Sequence, residues 1–210
     1  MEIDFGGECI ELNPLRCAFM RQRNMLLLAD LHLGKAAHFR RHGLAVPGEA
    51  HTADYARIDQ LLSSYQPAKI LILGDLFHSA HNPDWELFAD FIRQRNADRW
   101  MLVEGNHDIL SDAHYRDAGL QLLGDAWIDN GICFRHEPAA LDLPVIAGHV
   151  HPGAAIEGRG RQRLRLPCFH ISGQTLTMPA FGALTGLFTV HKNKAADRIY
   201  AIAGDKIYPV

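Results

Sequence analysis

Five stretches of the 210-residue chain carry side chains that bind metals or move protons: Asp30-x-His32, Gly74-Asp75-Leu76-Phe77-His78, Gly105-Asn106-His107-Asp108, a lone His136, and Gly148-His149-Val150-His151. Carboxylate, amide oxygen and imidazole without thiolate are donors that suit borderline divalent ions such as Mn²⁺, Fe or Zn²⁺. Each stretch is weak when taken singly. A D-x-H is more often a turn acid beside a surface histidine, and Gly-Asp and Gly-Asn are common turn dipeptides for backbone reasons. Their weight comes from position. Each follows a short apolar run: MLLLA (25–29), KILIL (69–73), RWMLV (99–103), GICF (131–134) and PVIA (144–147).

Runs of that length, each succeeded by a polar or glycine-containing stretch, read as buried strands. Helical patterns lie between the first three. Ile58, Leu61, Leu62 and Tyr65 follow i, i+3, i+4, i+7 spacing before Pro67, and Asn82 offers an N-cap ahead of Pro83, with Trp85, Phe88 and Ile92 as the inward stripe. The alternation predicts an α/β fold, in which ligands gather at the carboxyl ends of the strands. Strand alternation predicts Asp30 and His32 on one face. A hairpin is expected around Asn13–Pro14, the last 35 residues read as mostly β, and no repeat or long linker divides the chain, so one domain over 1–210 is expected.

Composition is that of an ordinary globular protein, with 48% apolar and 21% charged residues. The acidic start MEIDFGGECIEL is unlike a secretory leader and the apolar runs are short of a membrane span, so a cytoplasmic protein without membrane contact is expected. Cys9, Cys17, Cys133 and Cys168 form no C-x-x-C pair, which argues against a zinc knuckle or a disulfide framework. Cys133 is expected in the core. A net charge of −3 leaves any nucleic-acid contact to local basic residues. Lys35, Arg40 and Arg41 lie just past the first ligand pair. Arg159, Arg161, Arg163 and Arg165 alternate and would line one strand face, unless a turn at Gly158 or Gly160 makes a solvated hairpin. Histidine, with 13 copies, is the unusual component.

The order DLH, GD, GNHD, H, GHVH resembles that of the calcineurin-like metallophosphoesterases. The GDLFH form of the second block is similar to the SbcD-type nuclease branch. ADLHLGKAAHFRRHGLAVP (29–47), LPCF (166–169) and MPAFGALTG (178–186) resemble the bacterial ligase-associated DNA-damage-response phosphoesterases. Leu187 departs from that pattern, which would place a second glycine after Gly186. The resemblance implies a four-layer αββα sandwich, two mixed sheets flanked by helices, and a hydrolase acting on phosphate esters. It implies two divalent ions, manganese foremost. Asp30, His32, Asp75 and His151 would hold the first and Asp75, Asn106, His136 and His149 the second.

Two such ions bring four positive charges, of which Asp30, Asp75 and a bridging hydroxide remove three, leaving about one for a phosphodiester monoanion. In-line attack by that hydroxide is the reaction expected. The resemblance casts His107 as the acid at the leaving oxygen and His78 as its partner, while Asp108 reads as a loop cap. Lys35, Arg40, Arg41 and Arg161 are candidate substrate contacts, with DNA as the expected substrate. A place in repair beside a DNA ligase and a helicase follows from the resemblance alone. No residues remain for the capping domain of the SbcD-type nucleases, which favours ends, nicks or single strands over processive duplex degradation. The same site would serve a phosphomonoesterase or a small-nucleotide phosphodiesterase, and a scaffold with a decayed site is disfavoured because every ligand position is filled.

Overall fold

In the computed structural model, which describes residues 1–35, 50–77, 82–95, 99–157 and 163–210, the strongest apolar runs form the middle of a seven-stranded sheet. Its order is β1 (Glu2–Phe5), β2 (Glu8–Asn13), β3 (Cys17–Met20), β4 (Met25–Leu28), β5 (Lys69–Leu73), β6 (Trp100–Val103) and β7 (Gln121–Leu122). Neighbours from β1 to β4 are antiparallel and those from β4 to β7 parallel. The central strands are apolar throughout because both of their faces are covered. Leu26, Leu28, Ile70, Ile72, Trp100 and Leu102 turn toward the helices, and Met25, Leu27, Leu71, Leu73, Met101 and Val103 turn toward a second sheet.

Three α-helices among the described residues, α1 (Ala50–Tyr65), α2 (Pro83–Arg93) and α3 (Asp112–Ala118), bury apolar residues on the first sheet. The stripe of α2 follows the sequence pattern: Trp85, Phe88 and Ile92 are all buried. Asn82 caps it from an extended backbone, its Oδ1 accepting the Asp84 N–H at 2.8 Å, with Pro83 in the first turn. The expected hairpin joins β2 to β3, where Asn13 Oδ1 accepts the Leu15 N–H at 2.8 Å.

The second sheet has nine strands. Its main path is β14 (Phe188–Val190), β11 (Pro152–Glu157), β12 (Arg163–Ser172), β13 (Thr175–Thr177), β10 (Val145–Ala147), β9 (Ile132–Arg135) and β8 (Ala126–Asp129). β15 (Arg198–Ala203) pairs with β12, and β16 (Lys206–Pro209) pairs with β15. Ile132, Phe134, Ile146, Phe169, Ile171 and Leu176 face the first sheet and form the inter-sheet core. On the other face, Cys168, Val190, Ile199 and Ala201 form one small cluster, and Cys133, Val145 and Ala147 another. Two mixed sheets packed face to face with helices is the α/β architecture the sequence predicts. No helix among the described residues is long and apolar enough to cross a membrane.

β11 and β12 are antiparallel with Glu157 opposite Arg163, the pairing of the hairpin alternative, and Arg163 and Arg165 both lie in β12. Arg163 pairs with Glu157 at 2.9 Å in solvent. Arg159 and Arg161 lie outside the described residues.

Candidate metal centre

β4, β5 and β6 run parallel in one sheet, and β9 and β10 run parallel in the other. Their carboxyl ends therefore deliver all five polar stretches to one edge of the stacked sheets. The local geometry is not strand alternation, as D-x-H suggested, because β4 ends at Leu28. Asp30 and His32 lie beyond it with φ of 52° and 47°, and Asp75, His149 and His151 share that left-handed region. Non-glycine residues seldom adopt it, and its concentration here marks backbone held against local preference. Neighbouring loops provide the hold. Asp30 N–H donates to Gly74 O at 3.2 Å, His32 N–H to Asp75 O at 2.9 Å and Leu33 N–H to Leu76 O at 2.9 Å.

The side chains converge in two groups. Asp30, His32 and His151 form one, and Asp75, His136 and His149 the other, each with its ligand atoms within 4.8 Å of one another. In the first, His32 Nε2 is 3.2 Å from His151 Nε2, which is 3.4 Å from Asp30 Oδ1. In the second, His136 Nε2 lies 3.0 Å from Asn106 Oδ1, 3.0 Å from His149 Nδ1 and 3.4 Å from Asp75 Oδ1. The other oxygen of Asp75 is 3.6 Å from His32 Nε2, so this carboxylate stands between the groups.

The donor chemistry fits divalent cations. His136 Nδ1 is 3.0 Å from the Leu73 carbonyl, an acceptor that places the ring proton on Nδ1. Its Nε2 is then a lone pair facing an amide oxygen and a carboxylate, a convergence of acceptors that a cation relieves. Asp30 is fully buried and Asp75 almost so, at 0% and 2% exposure, and burying two carboxylates is costly without a positive partner. Gly74 makes room for the packing, since a Cβ there would stand 2.3 Å from His136 Nδ1.

Of the remaining predicted residues, His107 stands at the centre: its N–H donates to Asp75 Oδ1 at 2.9 Å and its ring meets that of His32 edge-on at 5.4 Å. Lys35 is half-buried nearby; burial holds its ammonium below the ordinary lysine range, the Asp75 carboxylate opposing the shift. Asp108 acts as a loop cap, accepting the N–H groups of Leu76, Phe77 and Gly105. His78, Arg40, Arg41 and Arg161 lie outside the described residues. Sequence reasoning missed Asp54 and Arg57 of α1, which grip the stretch 178–186 behind Asp30. An acid and a base three apart on a helix carry no signal of that role.

A family model described as "Calcineurin-like phosphoesterase" matches residues 24–171. Nuclease MPE of Pseudomonas putida, known from a crystal structure, is 31% identical with a TM-score of 0.82, over 100% of this chain and 99% of that one. The E. coli phosphoesterase Yfce is 14% identical with a TM-score of 0.47, over 89% of this chain and 97% of that one. No protein of curated function matches the chain.

Proposed function

Because this chain belongs to the calcineurin-like phosphoesterase family, and so is a metal-dependent phosphoesterase, we propose that it is a two-metal nuclease cleaving phosphodiester bonds in DNA. The observation that carries this reading is its end-to-end likeness to a nuclease, nuclease MPE. A role in DNA repair, beside a ligase and a helicase, rests on the resemblance of residues 29–47, 166–169 and 178–186.

Asp30, His32 and His151 would hold one divalent cation and Asp75, Asn106, His136 and His149 the other, with Asp75 reaching both and manganese as the proposed ion. Such a pair, when bound, supplies a water acidic enough to serve as nucleophile near neutral pH and draws charge from the phosphoryl oxygens. The chain's own residues do the rest. Asp30 and Asp75 offset only half the charge of two divalent ions, so the site keeps a positive surplus that favours an anionic diester. His107, anchored through its backbone on Asp75, holds a proton at a ring nitrogen for the leaving oxygen. His78 is proposed as the partner of that ring, Lys35 as a contact to a phosphate oxygen, and Arg40, Arg41 and Arg161 as further candidate phosphate contacts.

The test is a cleavage panel with Mn²⁺ on single-stranded DNA, plasmid DNA, a bis-aryl phosphodiester and the matching aryl phosphomonoester. Wild type is expected to cut DNA and the diester and to leave the monoester largely intact. His107→Ala is expected to lower the rate by about 10²–10⁴, the usual range for a general acid, and Asp75→Asn to abolish it. Preference for the monoester would establish a phosphomonoesterase instead. DNA cleavage undiminished in both variants would trace the activity to a contaminant and overturn the proposal.

A further inference from the structure

Behind the first ligand pair runs the stretch 178–186. Phe181 N–H donates to Ala29 O at 2.8 Å and Gly182 N–H to Asp30 O at 3.1 Å, so this backbone lies directly on the turn that carries Asp30 and His32. The approach is close enough to demand glycine: a Cβ at Gly182 would stand 2.3 Å from the Leu31 carbonyl oxygen.

The stretch is held in turn from α1. Arg57 donates through Nη2 to the Phe181 carbonyl and, at 2.6 Å, to Asp54 Oδ1, while its guanidinium lies 4.1 Å from the centre of the Phe181 ring. The Ala183 N–H points to Asp54 Oδ2 at 3.5 Å, and Arg16 Nη1 reaches the Ala180 and Gly182 carbonyls at 3.5 Å each. Asp54 is 6% exposed. Arg57 is half-buried; a partly buried ion pair of this kind adds little stability by itself, since desolvation and screening offset most of its attraction, but its geometry is strict.

We infer that Asp54 and Arg57 are positioning residues for the metal centre: they clamp 181–183 onto Ala29–Leu31 and so keep Asp30 and His32 in the left-handed turn that aims them at a cation. The inference rests on the reading that Asp30, His32 and His151 hold one of the ions. The clamp bears first on the Asp30 side. The Asn106 loop is secured separately, by the His107 N–H on Asp75 and by Asp108 bridging Gly105 to Leu76 and Phe77. The second group is reached at one remove, through the Asp30 carboxylate on the His149 N–H and the His32 N–H on the Asp75 carbonyl, so loss of the clamp is felt more at the first ion than at the second.

The experiment is calorimetric titration of Mn²⁺ into the metal-free full chain, for wild type, Arg57→Ala, Arg57→Lys and Asp54→Asn, with melting temperatures of the metal-free proteins alongside. Wild type is expected to bind two ions. Arg57→Ala and Asp54→Asn weaken one of them by about 10–100-fold, the range for residues that orient metal ligands, and weaken the other clearly less. Arg57→Lys keeps the charge but loses the fork shared between Asp54 and the Phe181 carbonyl, and it falls between. Isotherms like wild type in the variants overturn the clamp, as does equal weakening of both ions, which would mean general loosening. If Arg57→Ala does not fold, Asp54→Asn, close to isosteric, gives the same reading. A wild-type chain that binds no Mn²⁺ overturns the metal centre and the clamp together.

Discussion

Asp108 stands two residues from Asn106, whose Oδ1 faces His136 Nε2, and its work is to tie loops. One oxygen receives the N–H groups of Leu76 and Phe77 at 2.9 and 3.2 Å, and the other receives that of Gly105 at 2.8 Å. Burial pushes its carboxyl up to about 7, while those N–H groups pull the other way. Replacing it by asparagine sets an amide NH₂ against one of the backbone donors. Asp108→Asn is expected to cost about 1–3 kcal/mol, the penalty of an unsatisfied buried group, which for a chain of this size lowers Tm by roughly 2–12 °C. Thermal unfolding in the presence of a chelator measures it without interference from bound metal. Neighbouring side chains do different work: within Gly105-Asn106-His107-Asp108, Asn106 Oδ1 lies 3.0 Å from His136 Nε2, His107 is the proposed acid, and Asp108 holds the loop.

Among the elements, α2 is the one most completely specified by its own sequence. Its cap, its proline and its inward stripe all act within one turn or along one face, so no distant contact is needed to define it. Asn82→Ala removes the acceptor of the Asp84 N–H and is expected to cost about 1 kcal/mol, read as a lower urea midpoint at unchanged slope. The ends of β4 and β5 are different. Their ligands lie in left-handed turns whose hydrogen bonds run between loops, from 30–33 to 74–76, so neither turn is defined by its own residues.

For the whole molecule, the decisive feature is that each ligand group draws on both sheets. Asp30 and His32 follow β4 of the first sheet while His151 follows β10 of the second, and Asp75 and Asn106 of the first meet His136 and His149 of the second. Cations held there would act as cross-links between the layers, and anything that binds only the folded state stabilises it. Mn²⁺ at about 100 times its dissociation constant is expected to add about 2.7 kcal/mol per site, and a chelator to reverse the gain. Differential scanning calorimetry at graded Mn²⁺ concentrations checks this; a Tm independent of Mn²⁺ contradicts a centre shared between the sheets.

The sequence by itself determined the α/β alternation, the strands of the first core, the α2 cap and the set of ligand types, because each depends on periodicity or on chemistry carried within a few residues. The tertiary structure decided what spans greater distances. It set the backbone of Asp30 and His32 in a turn rather than a strand, placed Asp75 between the two groups, paired Glu157 with Arg163 across antiparallel strands, and set Asp54 and Arg57 behind Asp30. Those features are made by hydrogen bonds between segments far apart in the chain, as from Phe181 to Ala29 and from Ala183 to Asp54, and no local pattern in a chain records which distant group will stand opposite a given side chain.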